Sequence, residues 1–499
     1  MSENTLPVAV IGAGPVGLAA AAHLHERGLP FVVLEAGTTA GAAVAAWGHV
    51  RLFSPWRYNL DHAARRLLEA AGGWTTPDLD VLPTGGELVE AYLRPLAKLP
   101  QLAGHIRYDA RVTAIGRVGV DRVKTAGREH APFVVRLHTG EDVLASAVID
   151  ASGTWHTPNV LGANGLPAHG EHTAAARIGS ALPDVLGADR DAYAGKHTVV
   201  VGAGHSAANT LLSLAELAEQ EPGTTITWAT RGGSIDRAIG GGDADALPGR
   251  GALGSGLKLL VDSGRITLVT GFAVTAVRDT GSRVELSAGD GRTLSADRVV
   301  AATGFRPDHG IAEELRLDLD PALGCTRALA PLIDPNEHSC GTVRPHGIDE
   351  LTQPEPGYYA VGMKSYGRAP TFLLATGYEQ VRSIAAALAG DWAAARDVRL
   401  DLPETGVCST TLGYEAMLND AAARHGLAPE IPARFVAATV RHRATEGTVA
   451  AAARAAAAEL GIDEKVALSL AALAADELDT AAGDRLNLVT VPAAGGCCG

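Results

Sequence analysis

Two apolar runs, Val8 to Ile11 and Phe31 to Leu34, bracket a stretch of small residues near the N-terminus. Each has the length of one buried parallel strand and shows no polar alternation. Between them, Pro15 to Arg27 reads as a helix ended by Gly28. The design recurs downstream. Thr198 to Val201 is a second apolar strand, a helical stretch comes after it, and TITWATR, 225–231, closes the unit. Residues 61–99 mix helical spacing with Gly and Pro breaks. Arg107 to Leu144 predicts short strands, with FVVRLHTGEDVLAS, 133–146, as a hairpin. From about Asp401 the pattern turns helical. LPETGVCSTTLGYEAMLNDAAARHGL and the alanine-rich run Thr448 to Leu473 predict several helices, and Asp476 to Ala494 is looser.

The turns inside the two strand–helix units carry candidate chemistry. Gly12, Gly14 and Gly17 stand in the spacing G-x-G-x-x-G. Gly12 permits a tight turn, Gly14 lets a pyrophosphate approach the backbone, and Gly17 lets the helix pack on the strand. With Pro15 at its start, the helix points free N–H groups at the phosphates. Glu35, closing the second strand, is placed to accept from a ribose 2′-hydroxyl. The second unit has Gly202, Gly204 and Ala207, with His205 and Ser206 at the helix start in reach of a pyrophosphate. Its second strand ends in Thr230 and Arg231 rather than an acid, which favours the 2′-phosphate of NADPH over NADH. VIDASGTWHTPN, 148–159, and VVAATGFRPD, 299–308, each end a strand in a small-residue turn that passes close to a cofactor; Gly153, Thr303 and Gly304 are the positions concerned. GGGDADALPGRGALGSG, 240–256, is preceded by no strand and predicts a flexible loop over the active site, a candidate lid.

Composition narrows the class. The 499 residues suffice for about three domains. A hydrophobic content of 46% with 20% charged residues supports a large core. A net charge of −14 argues against nucleic acid or an anionic membrane as partner. No apolar run is long enough to span a bilayer and no signal peptide is legible, so a cytoplasmic protein is expected. Five cysteines are too few for a disulfide scaffold.

Two dinucleotide units, the second inserted in the first, resemble the two-dinucleotide-binding-domain flavoproteins from about residue 6 to 395. The motifs carrying the resemblance are GAGPVG with Glu35, ASGTWHTPN, GAGHSAA with Arg231, ATGFRPD, and GYYAVGMKSYGRAPTFLLATGYEQVRS. By resemblance the first unit binds FAD, the second binds NADPH, and the segment Gly357 to Ser383 returns to the FAD domain with a helix from about Phe372 aimed at the flavin. The implied fold is α/β: residues 1–160 and 311–395 form the FAD-binding domain, 161–310 the NAD(P)H-binding domain, and 396–499 a helical extension. Flavin disulfide reductases carry a Cys-x4-Cys pair shortly after the first unit; here no cysteine precedes Cys325. Trp47, Ser54, Pro55, Trp56 and Asn59 crowd that region instead, which looks most like the flavin-containing monooxygenase branch. Trp47 is a candidate flavin contact, and Ser54, Asn59 and Lys364 are candidate flavin-side polar groups; a plain loop packed by tryptophans is the other reading of this stretch. Met363 stands after Gly362 where the superfamily often has an Asp on the ribityl chain. LPAHGEHTAAARIG keeps His172 and Thr173 of the monooxygenase fingerprint but neither its aromatic ends nor its glycine spacing.

The chain ends in AAGGCCG. Cys497 and Cys498 behind glycines make a soft chelating or redox group. The pair is similar to the tails of some large thioredoxin reductases, of mercuric reductases and of arsenite-handling proteins. Cys340, Cys325 or Cys408 would supply a third thiolate for arsenite or mercury, with Cys340 the leading candidate. A zinc set of His338, Cys340 and His346 has no standard spacing. A chance tail stays open beside these readings. The expectation is an FAD enzyme reduced by NADPH that passes an oxygen atom to sulfur, nitrogen or trivalent arsenic. The alternatives are a reductase working through the tail and a redox- or metal-sensing flavoprotein. The expected partners are a small-molecule substrate, oxygen, a thiophilic ion through the tail, and a second copy as homodimer.

Overall fold

A computed structural model describes residues 6–240, 247–335, 346–370, 372–398, 425, 427–428, 431–446 and 448–473. The chain forms two compact units, residues 1–408 and 409–499.

The first unit is built on two parallel sheets. Strands β1 (Val8–Ile11) and β2 (Phe31–Leu34) flank the helix Pro15–Glu26, and β3 (Ile106–Arg107) comes after a helical excursion. An antiparallel sheet comes next, of β4 (Val112–Arg117), β5 (Phe133–Leu137) and β6 (Asp142–Ala145), the last two forming the predicted hairpin. Then β7 (Ala147–Asp150) returns to β1. The chain leaves for the second sheet: β8 (Ile178–Gly179), β9 (His197–Val201), β10 (Thr225–Ala229) and β11 (Thr267–Val269). A further antiparallel sheet of β12 (Val274–Asp279), β13 (Val284–Ala288) and β14 (Thr293–Ala296) precedes β15 (Arg298–Ala301), which pairs with β9. Finally β16 (Tyr358–Ala360) joins β7. The two parallel sheets run β16-β7-β1-β2-β3 and β11-β10-β9-β15-β8. The second is thus inserted between strands of the first, as an α/β chain with nested dinucleotide folds requires. All residues of β1 and β7 are buried, which is why these strands are apolar without alternation.

The proposed lid at 240–256 is corrected in part. Residues 241–246 lie outside the described residues, but Pro248–Asp262 is a helix. Pro248 starts it, and its own Leu257 and Leu260 are buried. Its glycines serve close packing rather than flexibility. A Cβ on Gly254 would stand 1.7 Å from the Ile239 carbonyl oxygen, and one on Gly256 would touch Leu212.

The second unit contains the helices Ile431–Glu446, Val449–Leu460 and Glu464–Leu473. The sequence pattern identifies the latter two and misses the first. Their core is Phe435 with Ala438, Ala453, Ala456, Ala457, Ile462, Ala467 and Leu470. Thr448 caps the second helix through Ala451 N, and Gly461 ends it in the left-handed region at φ 68°.

One buried ion pair closes the first sheet. Asp150, the last residue of β7, is fully buried, and Lys364 beyond β16 is 1% exposed. Lys364 Nζ donates to Asp150 Oδ2 at 2.6 Å, and the Tyr358 hydroxyl donates to the same oxygen at 2.9 Å. Ser152 Oγ donates to Asp150 Oδ1 at 2.6 Å. Burial raises the Asp150 pKa, but the Lys364 ammonium and these hydrogen bonds outweigh it and hold the carboxyl below its ordinary 3.8. A depressed carboxylate contributes stability above its unfolded pKa of about 3.9, and that stability is lost as pH falls through the folded value. Lys364→Met leaves a buried charge without its partner and should destabilise the protein at pH 7 by about 3–5 kcal/mol. Urea unfolding at pH 7 and pH 5 checks this: the gap to wild type should narrow at the lower pH, because the unpaired Asp150 can then protonate.

Candidate functional site

The first turn is dictated by sterics. Gly12 adopts φ 98°, and a Cβ there would stand 2.8 Å from the Ala151 carbonyl oxygen. A Cβ on Gly17 would stand 1.9 Å from the Gly12 carbonyl oxygen. Gly14 differs: its backbone is extended and a Cβ would meet nothing within 4 Å. Gly12 and Gly17 let protein approach protein; Gly14 faces open space at a helix N-terminus. That is the cradle a pyrophosphate needs. Glu35 is buried and holds the turn, with Oε2 accepting from Ala13 N at 2.6 Å and Oε1 from Gly37 N at 2.7 Å.

The return segment converges on the same turn. Gly362, at φ 67°, and Gly377 both face Val16 in the first turn of the helix Pro15–Glu26. Gly377 lies in the helix Leu374–Leu388, whose N-terminal end therefore meets the glycine turn. Gln380 Oε1 accepts from Gly362 N at 2.8 Å and so fixes this turn from the helix. Met363 beside it is 38% exposed.

The second turn repeats the logic. Gly202 sits at φ 134°, and a Cβ there would stand 2.0 Å from the Ala302 carbonyl oxygen. Gly204 is exposed and open, capping a helix that begins at His205. Ser206 comes next, half-buried, and Ala207 is buried on the sheet side. Arg231, just past β10, is exposed; its Nη1 donates to the Ala163 carbonyl at 2.9 Å. It lies on the rim of a cavity of about 520 Å³ lined by Leu166, Pro167, His169 and Val274 among others.

The two small-residue turns lie beside the two glycine turns: Ala151–Gly153 at the first, Ala302–Gly304 at the second. Gly153 and Gly304 adopt φ 71° and 88°. The chain segments beyond them are bonded to each other. Asn159 Nδ2 donates to the Thr303 carbonyl at 3.0 Å, and the Thr303 hydroxyl donates to the Asn159 carbonyl at 2.9 Å. Arg306 Nε donates to Asn159 Oδ1 at 2.8 Å. The rings of Trp155 and Phe305 lie 5.2 Å apart. Sequence pattern misses Asn159 and Arg306; both stand at the ends of the quoted motifs, and only their long-range pairing gives them a role.

The tryptophan-rich stretch forms a folded loop. Asn59 is fully buried; its Nδ2 donates to the Ser54 and Pro55 carbonyls, and its Oδ1 accepts from Ser54 Oγ at 2.9 Å. Tyr378 in the return helix donates to the Asn59 carbonyl at 2.8 Å. Trp47 packs on Gly85, where a Cβ would stand 2.7 Å from its ring. Ser54, Asn59 and Trp47 thus shape the loop, while Lys364 is engaged by Asp150 and Ser152.

Cys340, Cys408, Cys497 and Cys498 lie outside the described residues, as does His338. His346 is described, and its Nε2 meets Gln380 Nε2 at 2.9 Å. Among the described residues no group of His, Cys, Asp and Glu gathers to hold a metal. Cys325 is corrected as a thiolate candidate: it is 1% exposed, and burial pushes its pKa up to about 12. No helix of the described residues is long and apolar enough to cross a membrane.

Two nested dinucleotide folds with two open phosphate cradles define an FAD- and NAD(P)H-dependent oxidoreductase. The chain belongs to the pyridine nucleotide-disulphide oxidoreductase family, which it matches over residues 9–324. It is similar to the bacillithiol disulfide reductase Bdr of Bacillus cereus, at 18% identity and a TM-score of 0.55, over 78% of this chain and 99% of that one. It is also similar to a variant of the flavin monooxygenase of Stenotrophomonas maltophilia, at 22% identity and a TM-score of 0.52, over 77% and 98%. Both likenesses concern the fold. A shorter match, 36% identical over 131 residues, is to a multifunctional alkene reductase/demethylase OYE of Caballeronia cordobensis; it covers 21% of this chain and only 19% of that protein's length.

Gly14→Val should fold normally and purify with little or no FAD, because its side chain enters only the open cradle. Circular dichroism together with the flavin absorbance of the pure protein checks this, and a folded, fully yellow variant would contradict it. Arg231→Ala should raise the NADPH KM roughly tenfold, the scale of a charge-assisted contact, and leave the NADH KM near wild type. Steady-state kinetics with both nucleotides separates the two.

Proposed function

We propose that the chain is a flavin monooxygenase-like enzyme that uses NADPH and oxygen to oxygenate a soft nucleophile: sulfur, nitrogen or trivalent arsenic. The observation that carries this is the make-up of the stretch after Glu35. Where dithiol-bearing members of such folds place their redox pair, this chain has no cysteine and instead the Ser54–Asn59 loop. With no thiol there, electrons reaching the FAD domain have oxygen as their ready acceptor. Bound FAD would supply the two-electron chemistry, taking hydride from NADPH and reacting with oxygen.

The chain's own residues bind, orient and exclude. Gly14 and Gly204 leave room for two pyrophosphates, and the helices beginning at Pro15 and His205 turn their N-terminal N–H groups toward them. In this reading Arg231 reads the 2′-phosphate of NADPH. Trp56, 4% exposed, and the Ser54–Asn59 pair give the loop a dry core, which limits water near the reacting centre. The domain assignments 1–160, 161–310, 311–395 and 396–499 and a cytoplasmic setting belong to this reading.

A second reading rests on Cys497 and Cys498. A vicinal pair is suited to present a disulfide or a thiophilic ion such as arsenite or mercury for reduction.

The deciding measurement is product balance under air with a thioether, a tertiary amine and arsenite as probes. One sulfoxide, N-oxide or arsenate per NADPH is the expected result. NADPH oxidised with only hydrogen peroxide formed, together with turnover of a disulfide that Cys497→Ser abolishes, would move the assignment to the reductase.

A further inference from the structure

Among the described residues the inserted domain meets the FAD domain at the chain crossings and, apart from them, at a ring contact. At the chain crossings, Asn159, Thr303 and Arg306 stitch the outgoing and returning strands together. Relative motion is the default for domains within one chain unless a large apolar interface holds them, so contacts away from the seam bear on their register.

The second contact lies in the tryptophan-rich loop. Phe53, from the FAD side, places its ring 4.8 Å from that of His205, the first residue of the helix behind Gly204. The helix Pro248–Asp262 lands on the same residue. A Cβ on Gly249 would stand 3.1 Å from both Phe53 Cα and Phe53 O, and 2.8 Å from Leu82 Cδ1. Two helix N-termini of the inserted domain therefore bear on one residue of the FAD domain, and one bears there through a glycine that admits no side chain. The loop beneath is firmly held: Leu52 N donates to the Pro83 carbonyl at 2.8 Å, and Ser54 is locked to Asn59.

We propose that Phe53 is a positioning residue for hydride transfer. Its ring on His205, with Gly249 pressed on its backbone, sets the closed register of the two dinucleotide cradles. The transfer moves two electrons and a proton as hydride from the nicotinamide of NADPH to FAD, leaving NADP+. It succeeds only when the two rings are held in contact, and an error of about 1 Å can cost on the order of a hundredfold in rate. The inference rests on reduction of FAD by NADPH and not on the later fate of the electrons, so it stands or falls separately from the monooxygenase reading.

The test compares wild type, Phe53→Ala, Phe53→Tyr and Gly249→Val as FAD-loaded proteins. Anaerobic stopped-flow with saturating NADPH should show flavin reduction slowed roughly tenfold or more in Phe53→Ala and Gly249→Val, and restored within about twofold in Phe53→Tyr. FAD content and NADP+ affinity by calorimetry should stay within about threefold of wild type, since neither cradle is altered. Hydrogen exchange without nucleotide should rise in Phe53→Ala at 52–56 and at 247–251 together, the two faces of the contact. Unchanged reduction in Phe53→Ala, or slower reduction with exchange rising on the FAD side alone, would overturn the proposal. Loss of FAD from Phe53→Ala would likewise overturn it, by assigning Phe53 to the flavin cradle.

Discussion

The architecture depends on a steric constraint met twice. At Gly17 a single added carbon would lie 1.9 Å from the Gly12 carbonyl oxygen, and at Gly202 one would lie 2.0 Å from the Ala302 carbonyl oxygen. Helix and turn at the first site, and the ends of β9 and β15 at the second, can approach this closely only where a side chain is missing. Gly14 and Gly204 then stand open at helix N-termini. What the two turns offer a phosphate is backbone geometry more than side chains.

Around the first cradle the sheet closes on a buried charge. Asp150 joins β7, β16 and the turn after β7, through Lys364, Tyr358 and Ser152. A pair this deep contributes little net stability over an apolar replacement, yet losing one partner is costly. It ties the return segment to the turn at Ala151, which itself packs on Gly12. The first cradle is thereby assembled from three distant parts of the chain.

A nested fold separates two cofactor sites that chemistry needs together. The seam at Asn159 and the contact at Phe53 are among the places where the separation is bridged. What the electrons do next is a property of the surrounding loop and not of the fold, which is shared by disulfide reductases and monooxygenases alike. Here the loop carries an Asn–Ser pair and tryptophans, and the described thiol, Cys325, is buried and inert.

The two fingerprints are legible in the sequence because their constraints are local: a turn, a helix start and a strand of apolar residues lie within some 30 positions of each other. The β5–β6 hairpin and the alanine-rich helices are legible for the same reason. Glu35 is legible as an acid in place, though not as the group that holds Ala13 and Gly37. The glycines of 248–256 mislead, because glycine serves flexibility and close packing equally and only the neighbours Ile239 and Leu212 tell which. Lys364 reads as a flavin-side group until Asp150, 214 positions away, is found beside it. Asn159 with Thr303 and Phe53 with His205 are likewise meetings of distant residues. Local pattern along the chain was enough to specify two glycine turns open at helix N-termini and the class of cofactor. Which polar groups hold the cradles, and where the two domains touch, emerged only with the folded chain, because those contacts join residues whose separation along the chain carries no periodic signal.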